Sequence, residues 1–156
     1  MPNWLYLFTN LVAHLGLALW VGGTLVLGAL VAPGLFRALP RPQAGAIFGP
    51  TLRRFARVRL GALIAIVLAA AVKFALWEHN ANVWIGIRWL AIAFMAASLV
   101  YEIAVLEKAL EARRVHLTPE MGEDDPTRRA FQALHRRAER LLQASLVAAL
   151  VVMLLS

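Results

Sequence analysis

The chain has 156 residues, of which 61% are hydrophobic and only 16% charged. A soluble domain carries roughly 45–50% apolar and about 25% charged residues, so this composition excludes an ordinary soluble globule and a disordered chain alike. Lys and Arg total 16 against 9 Asp and Glu, a net charge of +7, and the absence of Cys excludes a disulfide framework, thiolate–zinc sites, Fe–S clusters and c-type haem attachment.

In a soluble domain a charge of +7 would point to nucleic acid. Here the basic residues flank apolar blocks and read as membrane topology, so the expected partner is the lipid bilayer and no nucleic acid. Residues 1–36 carry no formally charged side chain. A membrane-spanning helix needs about 20 apolar residues, and a first span is predicted over 4–32, ended by Pro33-Gly34. A cleaved signal peptide would place basic residues ahead of a shorter apolar core, and no Lys or Arg precedes Trp4.

The first connection, 37–59, holds six Arg, with Pro40, Pro42 and Pro50 as breakers. A second span is predicted over 58–77, interrupted by Lys73, and 78–82 is a short turn. The third span is predicted over 83–106, with Arg88 near its start. Its helical periodicity continues through Glu107 and Glu111. A polar loop follows over 116–125. Asp124-Asp125-Pro126 marks a helix start, with Pro in the first turn and carboxylates at the positive end of the dipole. The last helix is basic and amphipathic over 127–140, then apolar, giving a fourth span over 137–155.

The expected fold is therefore all-α: an integral membrane four-helix bundle filling 1–156 as one domain. The first and third connections hold 14 of the 16 basic residues. The positive-inside rule puts both in the cytoplasm and both termini outside. Trp4, Trp77 and Trp84 fall at the opposite interface, as an aromatic belt.

Ionisable groups inside a span are costly and mark function by default. His14 lies about 15 Å inward of Trp4 at 1.5 Å per residue and shares a face with Ala18 and Gly22. Small residues beside an imidazole leave room for a flat ligand or another helix, so His14 is a candidate axial ligand of haem iron. The alternative is a His hydrogen-bonded to a neighbouring helix. Arg88, Met95 and Glu102 recur at seven-residue steps and form a polar stripe with Ala91 and Ser98. Met95 lies about 16 Å deep, level with His14. A His14/Met95 pair suits haem iron or copper, against the alternative that Met95 fills core space. Arg88 is a candidate partner for a haem propionate, or a snorkelling Arg at the interface.

Lys73 shares a face with Ala65 and Ala69 and is expected to snorkel outward, the alternative being a cationic partner facing the bundle. Glu102 is expected to pair with a basic residue at the inner end. His79, in the outer turn, differs from His14 in depth by roughly 10–15 Å at 1.5 Å per residue, which disfavours haem held between them in one chain unless helix tilt is large, whereas His14 from two chains of a symmetric dimer can hold it. His116 reads as solvated. His135 lies with Phe131, Leu134 and Ala138 opposite Arg129, Arg136, Arg137 and Arg140, which predicts an interfacial segment. The sequence contains no P-loop, HExxH, dinucleotide glycine pattern or GxSxG elbow.

The stretch Ala18-Leu-Trp-Val-Gly-Gly-Thr24, followed by Val31-Ala-Pro-Gly-Leu-Phe-Arg-Ala-Leu-Pro40, resembles the bacterial four-helix membrane family related to transmembrane protein 205. Phe131-Gln-Ala-Leu-His135 ahead of the last span is similar to it too. The resemblance covers nearly the whole chain and implies a multi-pass protein of the bacterial inner membrane, in a family without an assigned activity. A more distant likeness runs to copper-resistance protein D domains and HemJ-type protoporphyrinogen oxidases, which also carry a His in the first span followed by a Trp and small residues. In the HemJ type that His is implicated in haem b binding, together with a Lys in the third helix. His14 matches the first position, and Arg88 stands at the second, where Arg is a poor iron ligand. The copper-resistance likeness implies copper handling.

Three functions compete. The leading one is a small b-type haem protein for electron transfer or haem sensing. Its axial ligand is His14, its second ligand is Met95 or the His14 of another chain in a homodimer, and Arg88 balances a propionate. The second is a non-catalytic accessory or scaffold subunit of a larger membrane complex. The third is a copper-handling membrane protein.

Overall fold

The computed structural model describes residues 3–78, 82–114 and 125–156, without the side chains of Arg41, Arg113, Arg114 and Thr127. Among the described residues all regular structure is helical. In chain order it comprises α1 (Asn3–Leu25), a π turn (Val26–Val31), α2 (Ala32–Ala38), α3 (Arg41–Leu76), α4 (Val83–Tyr101), a second π turn (Glu102–Leu106), α5 (Glu107–Arg114) and α6 (Pro126–Leu154). Backbone angles stay helical through both π turns, so α1 runs into α2 and α4 into α5 without a break.

Three of these rods, Asn3–Ala38, Pro42–Leu76 and Val83–Ala112, are long and apolar enough to cross a membrane. In hydrocarbon every backbone polar group must be satisfied within its own segment, which a continuous helix achieves. Many large apolar side chains follow the same solvent logic and point outward: Leu7, Phe8, Leu11, Leu15 and Leu19 line the exposed side of α1. The inward faces set small and polar residues such as Ala13, Ala62, Ala70, Ser98, Ser145 and Ala149 beside the larger core side chains. Small residues let helix backbones approach closely where water supplies no driving force.

The predicted arginine-rich connection 37–59 is mostly helix. Only Leu39 and Pro40 separate α2 from α3. Pro42 lies in the first turn of α3, where its missing N–H is no loss. Pro50 lies inside α3 on its exposed side, leaving the Ala46 carbonyl without its usual partner. Pro33 does not end the first rod either: it follows the first π turn, where shifted hydrogen bonding accommodates a missing donor. The predicted fourth span falls short of the other three. In α6 the apolar run Leu141–Leu154 gives about 21 Å of helix, against a hydrocarbon core of about 30 Å, because Arg136, Arg137, Glu139 and Arg140 precede it.

Antiparallel packing joins α1 to α3 and α4 to α6, and contacts of α1 with α6 and of α3 with α4 close the ring. Leu17, Trp20, Ile66, Met95, Leu99 and Val152 fill its centre. At the tryptophan end, Tyr6 meets Trp77 edge to face with ring centroids 5.4 Å apart. The start of α4 is fixed there by Asn82, whose side-chain oxygen accepts hydrogen bonds from the backbone N–H of Trp84 at 2.7 Å and of Ile85 at 3.4 Å. Asn82→Ala is expected to cost about 1 kcal/mol, read as a lower midpoint of thermal unfolding in detergent, and Asn82→Asp is expected to keep the wild-type midpoint.

Candidate functional site

The polar chemistry of the bundle is arranged in layers. At the arginine-rich end, Arg59 is 2% exposed and its Nη2 donates to Glu102 Oε1 at 2.5 Å. Its guanidinium also lies over the rings of Trp20 and Phe55, at 5.3 and 5.5 Å. That stacking matters because Arg59 Nε and Trp20 Nε1 are buried without an acceptor among the described residues. The ring faces supply part of the stabilisation that a missing acceptor would give the cation.

At the tryptophan end, Arg88 sets both branches of its fork on Glu78, Nη1 to Oε1 at 2.7 Å and Nη2 to Oε2 at 2.5 Å. This is the bidentate geometry in which Arg–carboxylate pairs are strongest. Close by, Lys73 Nζ donates to Asn10 Oδ1 at 2.8 Å and to the Ser156 carbonyl oxygen, and sits 5.6 Å from the Tyr6 ring. Lys73 is buried in the bundle. The expectation that it snorkels outward is thus overturned: α3 turns the stripe Arg59, Ala62, Ile66, Ala69 and Lys73 inward as one face.

The three predicted site residues are not brought together. His14 is on the exposed side of α1, and its Nδ1–H donates to the Asn10 carbonyl oxygen at 2.8 Å. Met95 is fully buried in the central core. Arg88 is buried and engaged with Glu78, neither free for a propionate nor snorkelling. Glu102 pairs with a basic residue as expected, and that residue is Arg59. His135 is exposed, lies 3.2 Å from Glu139 and stacks on Phe131. His79 and His116 lie outside the described residues.

Two residues passed over in the sequence join these layers. Asn10 links α1 to α3, its carbonyl taken by His14 and its side chain by Lys73. Arg59 lies two heptads before Lys73, and that spacing on one helical face was the available signal. Among the described residues no group of three or more His, Asp or Glu is arranged to hold a metal ion. Among the described residues His14 thus faces outward from α1, while Met95 lies in the core.

No curated protein and no solved structure matches the chain. The model of a domain of unknown function, DUF4149, matches residues 15–116, from the first turn after His14 through the third rod and beyond, and the chain belongs to that family.

Proposed function

We propose that the protein binds b-type haem in the membrane at the outward face of α1, with His14 as axial ligand, in an electron-transfer or haem-sensing role. The observation that carries this reading is the hydrogen bond between His14 Nδ1 and the Asn10 carbonyl oxygen at 2.8 Å. A carbonyl only accepts, so Nδ1 is the donor, which leaves Nε2 as the nitrogen whose lone pair a metal would take. A backbone carbonyl on one ring nitrogen is the usual support of a His that ligates metal through the other.

Ala18 and Gly22 continue the same face, and a Cβ added at Gly22 would meet nothing within 4 Å. This open strip accepts a flat ring or a second helix. A polar ring left bare in hydrocarbon is costly, which favours a covered His14. Two copies related by a two-fold axis supply a second imidazole at equal depth. Met95 and Arg88, engaged in the core, drop out of the ligand set. Copper at the same imidazole is the metal alternative. On this reading α6 is the fourth span, both termini lie outside, and the arginine-rich end faces the cytoplasm of a bacterial cell, as the 14 of 16 basic residues there support.

An absorption spectrum of the detergent-purified protein, oxidised and reduced, with a pyridine haemochrome assay, tests this. A Soret band with a reducible b-type spectrum is expected, lost in His14→Ala and Gly22→Leu and retained in Met95→Leu. A protein that stays colourless after haem addition sinks the reading. The second reading, an accessory subunit of a membrane complex, is favoured by the mutual pairing of Arg59 with Glu102 and Arg88 with Glu78. A colourless protein that co-purifies with a partner at fixed ratio would support it.

A further inference from the structure

At the arginine-rich end a cleft of about 440 Å³ opens between α3 and the second π turn with the start of α5. Ala56 and Ile103 line it with apolar surface, and Arg53, Arg54 and Arg57 stand along one wall with Glu107 opposite. The arginines and Pro50 fall at the i, i+3, i+4 and i+7 positions of one helical face. Arg53 is partnered by Glu111, Nη1 to Oε1 at 3.1 Å. Arg54 and Arg57 are exposed and have no carboxylate partner among the described residues.

Like charges three and four residues apart repel along a helix. The wall therefore carries a cost that a bound anion would relieve. The planar guanidinium fork matches phosphate oxygens in pairs. The cleft also lies at a boundary: Arg59 and Glu102 sit just beyond Arg57, and the apolar part of α3 begins at Leu60.

We propose that this cleft is a binding site for a phosphate group, held by Arg54 and Arg57 with Arg53 as a third cation and opposed by Glu107. The phosphate is carried by an anionic phospholipid or by a soluble phosphate ester. The apolar lining suits the glycerol and upper acyl chain of a lipid, and the arginine wall suits either source. The site is independent of haem at His14, which lies toward the middle of α1.

The test is a titration of the purified full chain in non-ionic detergent, followed by native mass spectrometry. Phosphatidylglycerol is the probe and phosphatidylcholine the zwitterionic control. One phosphatidylglycerol is expected to be retained selectively. The Arg54→Ala/Arg57→Ala chain should bind it about 25-fold more weakly, at about fivefold per arginine near a membrane surface. Glu107→Gln should bind it more tightly, because a like charge leaves the cleft. Arg136→Ala/Arg137→Ala, two exposed charges on α6, should change nothing.

Excess inorganic phosphate separates the sources. Displacement of the lipid assigns the cleft to soluble phosphate esters, and retention assigns it to the lipid. Wild-type affinity in Arg54→Ala/Arg57→Ala overturns the proposal. So does an equal loss in Arg136→Ala/Arg137→Ala, which would reduce the effect to general surface charge.

Discussion

Glu102→Ala is expected to lower the stability of the bundle by about 3–5 kcal/mol, while the paired change Arg59→Met with Glu102→Leu recovers most of that loss. The asymmetry comes from burial. The Arg59 side chain is 2% exposed and that of Glu102 21% exposed. Removing the carboxylate leaves a guanidinium that cannot reach solvent and whose Nε already lacks an acceptor among the described residues. The Trp20 and Phe55 faces already hold the cation with the pair intact, so they do not replace what the carboxylate supplied. Replacing both partners removes the two desolvation costs along with the attraction. Reversible unfolding in mixed detergent micelles measures the difference. Equal destabilisation of the single and double variants would mean that the attraction of the pair outweighs its two desolvation costs, because Met and Leu keep most of the side-chain volume between α3 and α4.

Gly16 and Gly22, about one and two-thirds turns apart on α1, should respond to Ala with opposite signs. A Cβ at Gly16 would lie 2.9 Å from the Ala62 carbonyl oxygen and 2.9 Å from Ile66 Cγ1. Ile66 is 1% exposed and the carbonyl belongs to the α3 backbone, so neither can yield. Then α1 must move off α3 and loosen Leu17 and Trp20, at a cost of about 1–3 kcal/mol for overpacking. At Gly22 nothing lies within 4 Å. There Ala brings only its helix preference, a gain of about 0.5–1 kcal/mol. The same unfolding measurement reads both. A loss at Gly22 matching that at Gly16 would place a neighbour on the outward face of α1 even in the purified protein.

The contrast between these glycines also explains what the sequence could reveal. Depth along a helix follows from counting residues, and the apolar rods around His14, Lys73 and Met95 are legible in that way. Rotation about the helix axis is not. Ala18 and Gly22 offered one small-residue face on α1, and Gly16, Ala13 and Gly23 offered another. Counting alone gives no reason to prefer either. The structure packs the second face against α3, which turns His14 outward while Met95 stays inside.

Proline was misread for a related reason. Pro42 and Pro50 signal a break only if their missing N–H matters, and a first helical turn and an exposed helix face are places where it matters least. Arg59 was assigned to a connection because it follows five other arginines. Its partner Glu102 is 43 residues away in sequence, and nothing local announces a pairing over that separation. The Lys73 stripe was visible as a run of alanines. Its inward direction required Asn10, a residue with no charge to draw attention.

The two π turns have a consequence of their own. Each amounts to an α-helix carrying one surplus residue, so everything beyond it is rotated by about 100° and displaced by about 1.5 Å relative to an uninterrupted helix. The first lies between Trp20 and the Phe36 ring that meets Phe48 at 6.1 Å. The second contains Glu102 itself. Both sit where the apolar rods pass into their charged ends. The angular setting of those ends is thereby uncoupled from that of the buried rods, so one residue gained or lost in either turn would re-aim Phe36 and Arg37 on α2, or Glu107 and Glu111 on α5, while leaving the core in phase.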